Sequence, residues 1–182
     1  DYYSYANTER GLYSYGTKFI FSGTGKQTIN ATDGYIYFEN VEFANKDTTG
    51  SIEFDNTNIS CYIGKDETVT GNLDISSMNL NGHKLNVKGN LKLWGKLSLN
   101  GGELYITGDY NAYILVKNAD GTTSHTGGYL CTSNINDKVT VDGDFNTYYD
   151  YNSYYGGEKL QYGTIEIKGN LNDYYSYALS LI

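Results

Sequence analysis

Leu85-Asn86-Val87-Lys88-Gly89-Asn90-Leu91-Lys92-Leu93-Trp94-Gly95-Lys96-Leu97-Ser98-Leu99 is the stretch on which the fold turns. Its aliphatic residues come in pairs two apart, Leu85/Val87, Leu91/Leu93 and Leu97/Leu99, and Leu104/Ile106 follows. Side chains two apart in an extended chain point to one face. Each pair is too short to hold a sheet alone, and successive pairs start 6, 6 and 7 residues apart. Three short strands joined by tight bends, recurring every 18–19 residues, describe one coil of a parallel β-solenoid. Stacked coils bury such pairs as continuous ladders. A β-sandwich would show longer strands and hairpin turns, which this near-constant period does not.

Outward from that stretch the same frame recurs: two aliphatic residues two apart, then Gly, Asn or Asp, and a large apolar residue. It reads Leu85 to Leu91, Leu104 to Tyr110, Val139 to Phe145 and Ile165 to Leu171. A degenerate copy ends at Leu73 and carries Glu67 in the first aliphatic slot. The frame glycines, Gly71, Gly89, Gly108, Gly143 and Gly169, are spaced by 18, 19, 35 and 26 residues. The step of 35 is expected to be two coils, one of which has lost its glycine. Gly89 and Gly108 are expected at bends that need positive φ.

The run from Thr70-Gly71-Asn72-Leu73 through Ile106-Thr107-Gly108-Asp109-Tyr110 resembles the Leu-Asn-Gly and Gly-Asn-Leu repeats of large secreted β-helical surface proteins of bacteria. Its texture is similar to that of the filamentous-haemagglutinin-like adhesins, over roughly residues 64–116 and 138–172. The resemblance implies a right-handed β-helix at the cell surface or outside the cell, with a structural or adhesive role and no catalytic motif to carry over. The Tyr-rich insertions depart from that texture.

Composition supports the all-β reading and narrows the partners. The 182 residues include 21 Tyr, 22 Gly and no Pro. A body in which nearly every N–H pairs with the coil above or below has little place for Pro. A net charge of −8 is opposite to the basic footprint that nucleic acid demands. A sustained apolar run of about 18 residues is missing, so membrane insertion is not expected.

Tyrosine clusters in excursions from the coil. Residues 146–163 begin directly after Gly143-Asp144-Phe145, and a second Tyr segment begins after the equivalent Gly169-Asn170-Leu171. The hexapeptide Asp1-Tyr2-Tyr3-Ser4-Tyr5-Ala6 recurs as Asp173-Tyr174-Tyr175-Ser176-Tyr177-Ala178, which reads as a module of a longer repetitive chain. The expected organisation is a single solenoid segment over 1–182. It has a Tyr-rich loop at 1–16, coils over 17–145, a second loop at 146–163, and a final coil with a Tyr-rich tail at 164–182. All excursions are expected at one corner. The candidate contact surface is Tyr2, Tyr3, Tyr5, Tyr148, Tyr149, Tyr151, Tyr154, Tyr155, Tyr174, Tyr175 and Tyr177. Rings with a polar tip suit self-association and glycan stacking alike. Self-association into a fibre or array is the first expectation, and a carbohydrate-binding edge the alternative.

The remaining chemistry is thin. Cys61 and Cys131 fall three or four coils apart, beyond the roughly 7 Å reach of an internal disulfide, so free thiols or an intermolecular bridge are expected. His83 and His125 have no zinc-ligand spacing around them. No cofactor is expected; calcium is the one ion to weigh, at Asp120, Asp142 and Asp144, and the ligand density of a calcium loop is not reached. Solenoid enzymes that cleave acidic polysaccharides need clustered acids and a base. The one arginine here, Arg10, lies in a Tyr loop, so no enzyme is expected. The sequons at Asn30 and Asn58 matter only in a glycosylating host.

Overall fold

A computed structural model describes residues 11–29, 35–46, 52–54, 59–112, 114–118, 120–147 and 159–174. Strands and turns make up the described residues, with no helix among them. The described part opens with a long strand and a short one, β1 (Gly11–Gly23) and β2 (Gln27–Ile29), and repeats the pair as β3 (Tyr35–Asn45) and β4 (Ile52–Phe54). It then settles into three strands per turn. The first such turn is β5 (Ile59–Ile63), β6 (Glu67–Val69) and β7 (Leu73–Ile75). The next two are β8 (Ser77–Asn79), β9 (Lys84–Val87), β10 (Leu91–Leu93) and β11 (Lys96–Ser98), β12 (Glu103–Ile106), β13 (Tyr110–Asn111). A hairpin, β14 (Ile114–Lys117) and β15 (Thr123–Thr126), interrupts the winding. The last two turns are β16 (Tyr129–Thr132), β17 (Lys138–Val141), β18 (Phe145–Thr147) and β19 (Lys159–Leu160), β20 (Thr164–Ile167), β21 (Leu171–Asp173).

Stacked turns make three sheets. Sheet A runs β1-β3-β5-β8-β11-β16-β19, sheet B runs β2-β4-β7-β10-β13-β18-β21, and sheet C runs β6-β9-β12-β17-β20. All pairings within them are parallel, and only the hairpin is antiparallel. The molecule is a parallel β-solenoid, and its described residues form five three-stranded turns behind two two-stranded ones. Register places like on like: Leu85, Leu104, Val139 and Ile165 stack in sheet C, and Leu73, Leu91, Tyr110 and Phe145 in sheet B. Through the middle turns these side chains are almost fully buried. Each large apolar side chain so buried contributes about 1.5–3 kcal/mol.

Three expectations are corrected here. The step of 35 from Gly108 to Gly143 is one coil, because Leu104 pairs directly with Val139. Residues 113–127 replace Trp94 of the turn before, since Ala112 follows the strand that pairs with Leu91-Lys92, and Gly128 stacks on Gly95. The expected loop at 1–16 is strand β1 from Gly11 onward, and the loop at 146–163 contains the end of β18 and all of β19. Tyrosine also enters the core: Tyr110 is fully buried and stacks on Phe145 at 4.3 Å between ring centroids, 18° apart.

The N-terminal end has its own cross-section. Register shifts between Ser14 and Lys18, and between Phe38 and Val41, let β1 and β3 turn a corner without breaking. The second half of β3 runs beside β6 but is joined to it by side chains. The Phe43 N–H donates to Glu67 Oε2 at 3.1 Å, and the Thr70 hydroxyl donates to the Asn45 carbonyl at 3.0 Å. Glu67, the odd residue in an aliphatic slot, thus points inward and completes the seam where sheet C begins. Phe19 and Phe21 close over Phe38 and Phe43 with ring separations of 4.7 to 6.3 Å.

Candidate functional site

The corner between sheets B and A is where the hairpin and the 148–158 excursion leave the winding. The hairpin leaves it after β13 and returns at β16, and the chain enters 148–158 after β18 and returns at β19. Residues 1–10 precede a sheet A strand in sequence, and residues 175–182 follow a sheet B strand. Of the candidate contact tyrosines, Tyr174 is described: it lies just past β21 and is half-exposed, its N–H donating to the Thr147 carbonyl. Tyr2, Tyr3, Tyr5, Tyr148, Tyr149, Tyr151, Tyr154, Tyr155, Tyr175 and Tyr177 lie outside the described residues, as does Arg10. In the turn just before the hairpin, Trp94 holds this corner. Its indole N–H donates to Asp74 Oδ1, and Lys92 Nζ sits 4.1 Å from the ring centroid. Burial, the larger effect, raises the Asp74 pKa against the pull of Lys92 and Trp94.

The corner between sheets C and B is a ladder of Asn and Asp. Asn90 N–H donates to Asn72 Oδ1 at 2.8 Å, Asp109 N–H to Asn90 Oδ1 at 2.8 Å, and Asp144 N–H to Asp109 Oδ1 at 2.9 Å. Asn170 N–H closes the series on Asp144 Oδ1 at 2.7 Å. Asn and Asp interchange because one side-chain oxygen is all the ladder uses. The frame glycines lie beneath it for lack of room. A β-carbon on Gly89 would stand 2.7 Å from Asn72 Oδ1, and neither Gly89 nor Gly108 has a positive φ. Positive φ angles occur instead at the corner between sheets A and C, where the stacked turns Asn81-Gly82 and Asn100-Gly101 have two each. His83 N–H donates to the Leu80 carbonyl and Gly102 N–H to that of Leu99, closing each as a four-residue turn. Two Asn-Gly pairs 19 residues apart were the signal for these turns.

Acidic groups weighed as calcium ligands are engaged with the protein. Asp142 takes Lys168 Nζ at 2.7 Å and the Tyr105 hydroxyl at 2.5 Å across three turns of sheet C. Lys168 foremost, then Tyr105, lowers the Asp142 pKa, while those of Tyr105 and Lys168 are raised by the same contacts. Asp120 accepts from the Thr122 hydroxyl and N–H, which hold its pKa low, and Asp144 belongs to the ladder. Among the described residues, no three His, Cys, Asp or Glu gather as metal ligands do. His83 Nδ1 lies 3.7 Å from Asp66, and His125 is in β15 opposite Leu115. Cys61 and Cys131 are free, three sheet A steps apart; Cys61 is buried, and burial drives its thiol pKa far up.

At the C-terminal end of the winding the apolar ladders come to the surface. Leu160, Ile165, Ile167 and Leu171 surround a cavity of about 330 Å³ with Phe145 and Thr132 among its walls. Leu171 is 50% exposed, whereas its sheet B neighbour Phe145 is 1% exposed. The Thr132 hydroxyl is buried there with no hydrogen-bond partner among the described residues. Compared with protein-family models, with curated proteins and with solved structures, the chain matches none.

Proposed function

We propose that this chain is a non-catalytic structural module of an extracellular or cell-surface assembly, joining other solenoid segments end to end. The observation that carries the reading is the apolar cavity at the C-terminal end, ringed by Leu160, Ile165, Ile167 and Leu171. An exposed sheet terminus of this kind is a template for further strands, which natural proteins otherwise blunt with charge or cover. A like coil stacked on it would bury Leu171 as Phe145 is buried one step below. At the other end, β1 offers thirteen residues of strand with β3 on one edge. Joining unlike ends is a heterologous contact, which propagates as a filament. The texture shared with haemagglutinin-like adhesins supports the same role and the same location. The excursions at one corner would then repeat along the filament as a tyrosine-bearing edge.

Sedimentation velocity over a concentration series, with negative-stain imaging, tests this. Association into rods is expected for the native chain and its loss for Ile167→Asp, which puts a charge into the end cavity. Monomers alone at the highest soluble concentration would overturn the reading.

A further inference from the structure

The outer face of sheet A carries two adjoining hollows that the assembly role does not use. One, about 430 Å³, lies among Tyr37, Glu39, Asn40, Tyr62 and Asn81. The other, about 280 Å³, is lined by Ser60, Tyr62, Ser77, Asn79 and Ser98 among others. Tyr62 belongs to both, so the hollows form one trough along the solenoid axis. From β3 through β5 and β8 to β11 is three strand steps, about 14 Å. We infer that this trough binds a short stretch of neutral glycan, seated against Tyr62.

The chemistry of the walls selects that class. Tyr37 and Tyr62 meet edge to face at 5.6 Å between centroids, a rigid aromatic wall of the kind that takes the apolar face of a sugar ring. The other groups are hydroxyls and amides, which suit sugar hydroxyls. Ser77 Oγ accepts from Lys96 N–H at 3.1 Å, which leaves its own O–H as a donor into the trough. Glu39 takes the Gly16 N–H on one oxygen, leaving the second as an acceptor. One acid, Glu39, at one end and one base, Lys96, at the other give no net charge to attract an acidic polymer or a phosphate. A peptide strand has no edge to join here, because the backbone of β5, β8 and β11 is committed to parallel pairing on both sides. Few convergent polar groups beside a ring are the usual composition of a small-ligand site.

Isothermal titration with cellotetraose, maltotetraose and tetra-N-acetylchitotetraose, and with tetragalacturonate as an acidic counterpart, tests the inference. At least one neutral tetrasaccharide is expected to bind, and Tyr62→Ala to weaken it by about tenfold or more. Ser77→Leu, which fills the trough and leaves both rings in place, is expected to do the same and decides the matter if Tyr62→Ala fails to fold. Tyr105→Ala on sheet C is expected to bind as the native chain does. Binding of none of the neutral sugars, binding of the acidic one alone, or native affinity in the filled trough would overturn the inference. Failure of end-to-end assembly registers in sedimentation and leaves this result untouched.

Discussion

A β-carbon added to Gly89 would meet the Gly71 carbonyl oxygen at 2.8 Å as well as Asn72 Oδ1, backbone and ladder together, neither able to retreat. Gly89→Ala is therefore expected to cost about 2–3 kcal/mol in a urea melt, as overpacked sites do. Gly16→Ala is the contrast: nothing lies within 4 Å of the new carbon, and the cost of about 1 kcal/mol comes from a φ of 71° alone. Glu67 brings pH into the fold. Burial, foremost, raises its pKa above the ordinary 4.5, against the Phe43 N–H and Lys65. The folded state then holds a proton that the unfolded chain has released. Stability from this group is fully present below pH 4.5 and is lost as pH rises through the raised value. Glu67→Gln is expected to remove that loss, leaving the variant more stable than the native chain at pH 7 and nearly equal to it at pH 4.5; urea melts at both values check the sign. For the thiols, iodoacetamide is expected to label Cys131 in the folded protein and Cys61 only after denaturant, since Cys61 is buried and its Sγ points at the Ser77 carbonyl.

Among the elements, the hairpin β14–β15 is the clearest addition to a plain coil. Both its ends are fixed by the winding, Ala112 beneath β18 and Gly128 against Gly95. Replacing residues 113–127 by a single Trp restores the corner of the preceding turn, Leu93-Trp94-Gly95. Because loop closure depends weakly on length, this variant is expected to change unfolding free energy by no more than about 1 kcal/mol and to keep a single cooperative transition. The same hairpin explains what the sequence concealed. Leu85 to Ile106 could be read directly, since each aliphatic pair there is one short strand and nothing intervenes. Ile114-Leu115-Val116, by contrast, has the apolar look of a coil strand, so an insertion passed for a turn with a missing glycine. β1 and β3 were hidden for another reason: they round a corner by shifting register within one long strand, so no aliphatic pair and frame glycine mark a separate strand there. The corner shared by the excursions was legible from Phe145 and Leu171, which occupy equal places in the frame. The Tyr62 trough was not, because its members come from strands whose outward residues obey no pattern in sequence.

For the whole molecule, stability should follow position along the axis, because each turn touches only the turns above and below. Leu93 is fully buried between β7 and its successors, and Leu93→Ala is expected to cost about 2–5 kcal/mol. Ile167 at the open end is only partly covered, and Ile167→Ala is expected to cost less than half as much. Hydrogen exchange checks the same gradient without mutation: amides of β9, β10 and β12 are expected to exchange slowest and those of β19 and β20 fastest.

The ladder of Asn72, Asn90, Asp109, Asp144 and Asn170 has a direction, and the direction matters while the chain is being made. Every acceptor belongs to the earlier residue and every donor to the later one. A ribosome delivers about 5–20 residues per second, so an 18–19-residue coil emerges every one to four seconds or so. Each coil on arrival finds an oxygen already fixed in place by its predecessor. So far as this ladder is concerned, synthesis and winding can proceed in step, since none of its acceptors waits on residues still to be translated.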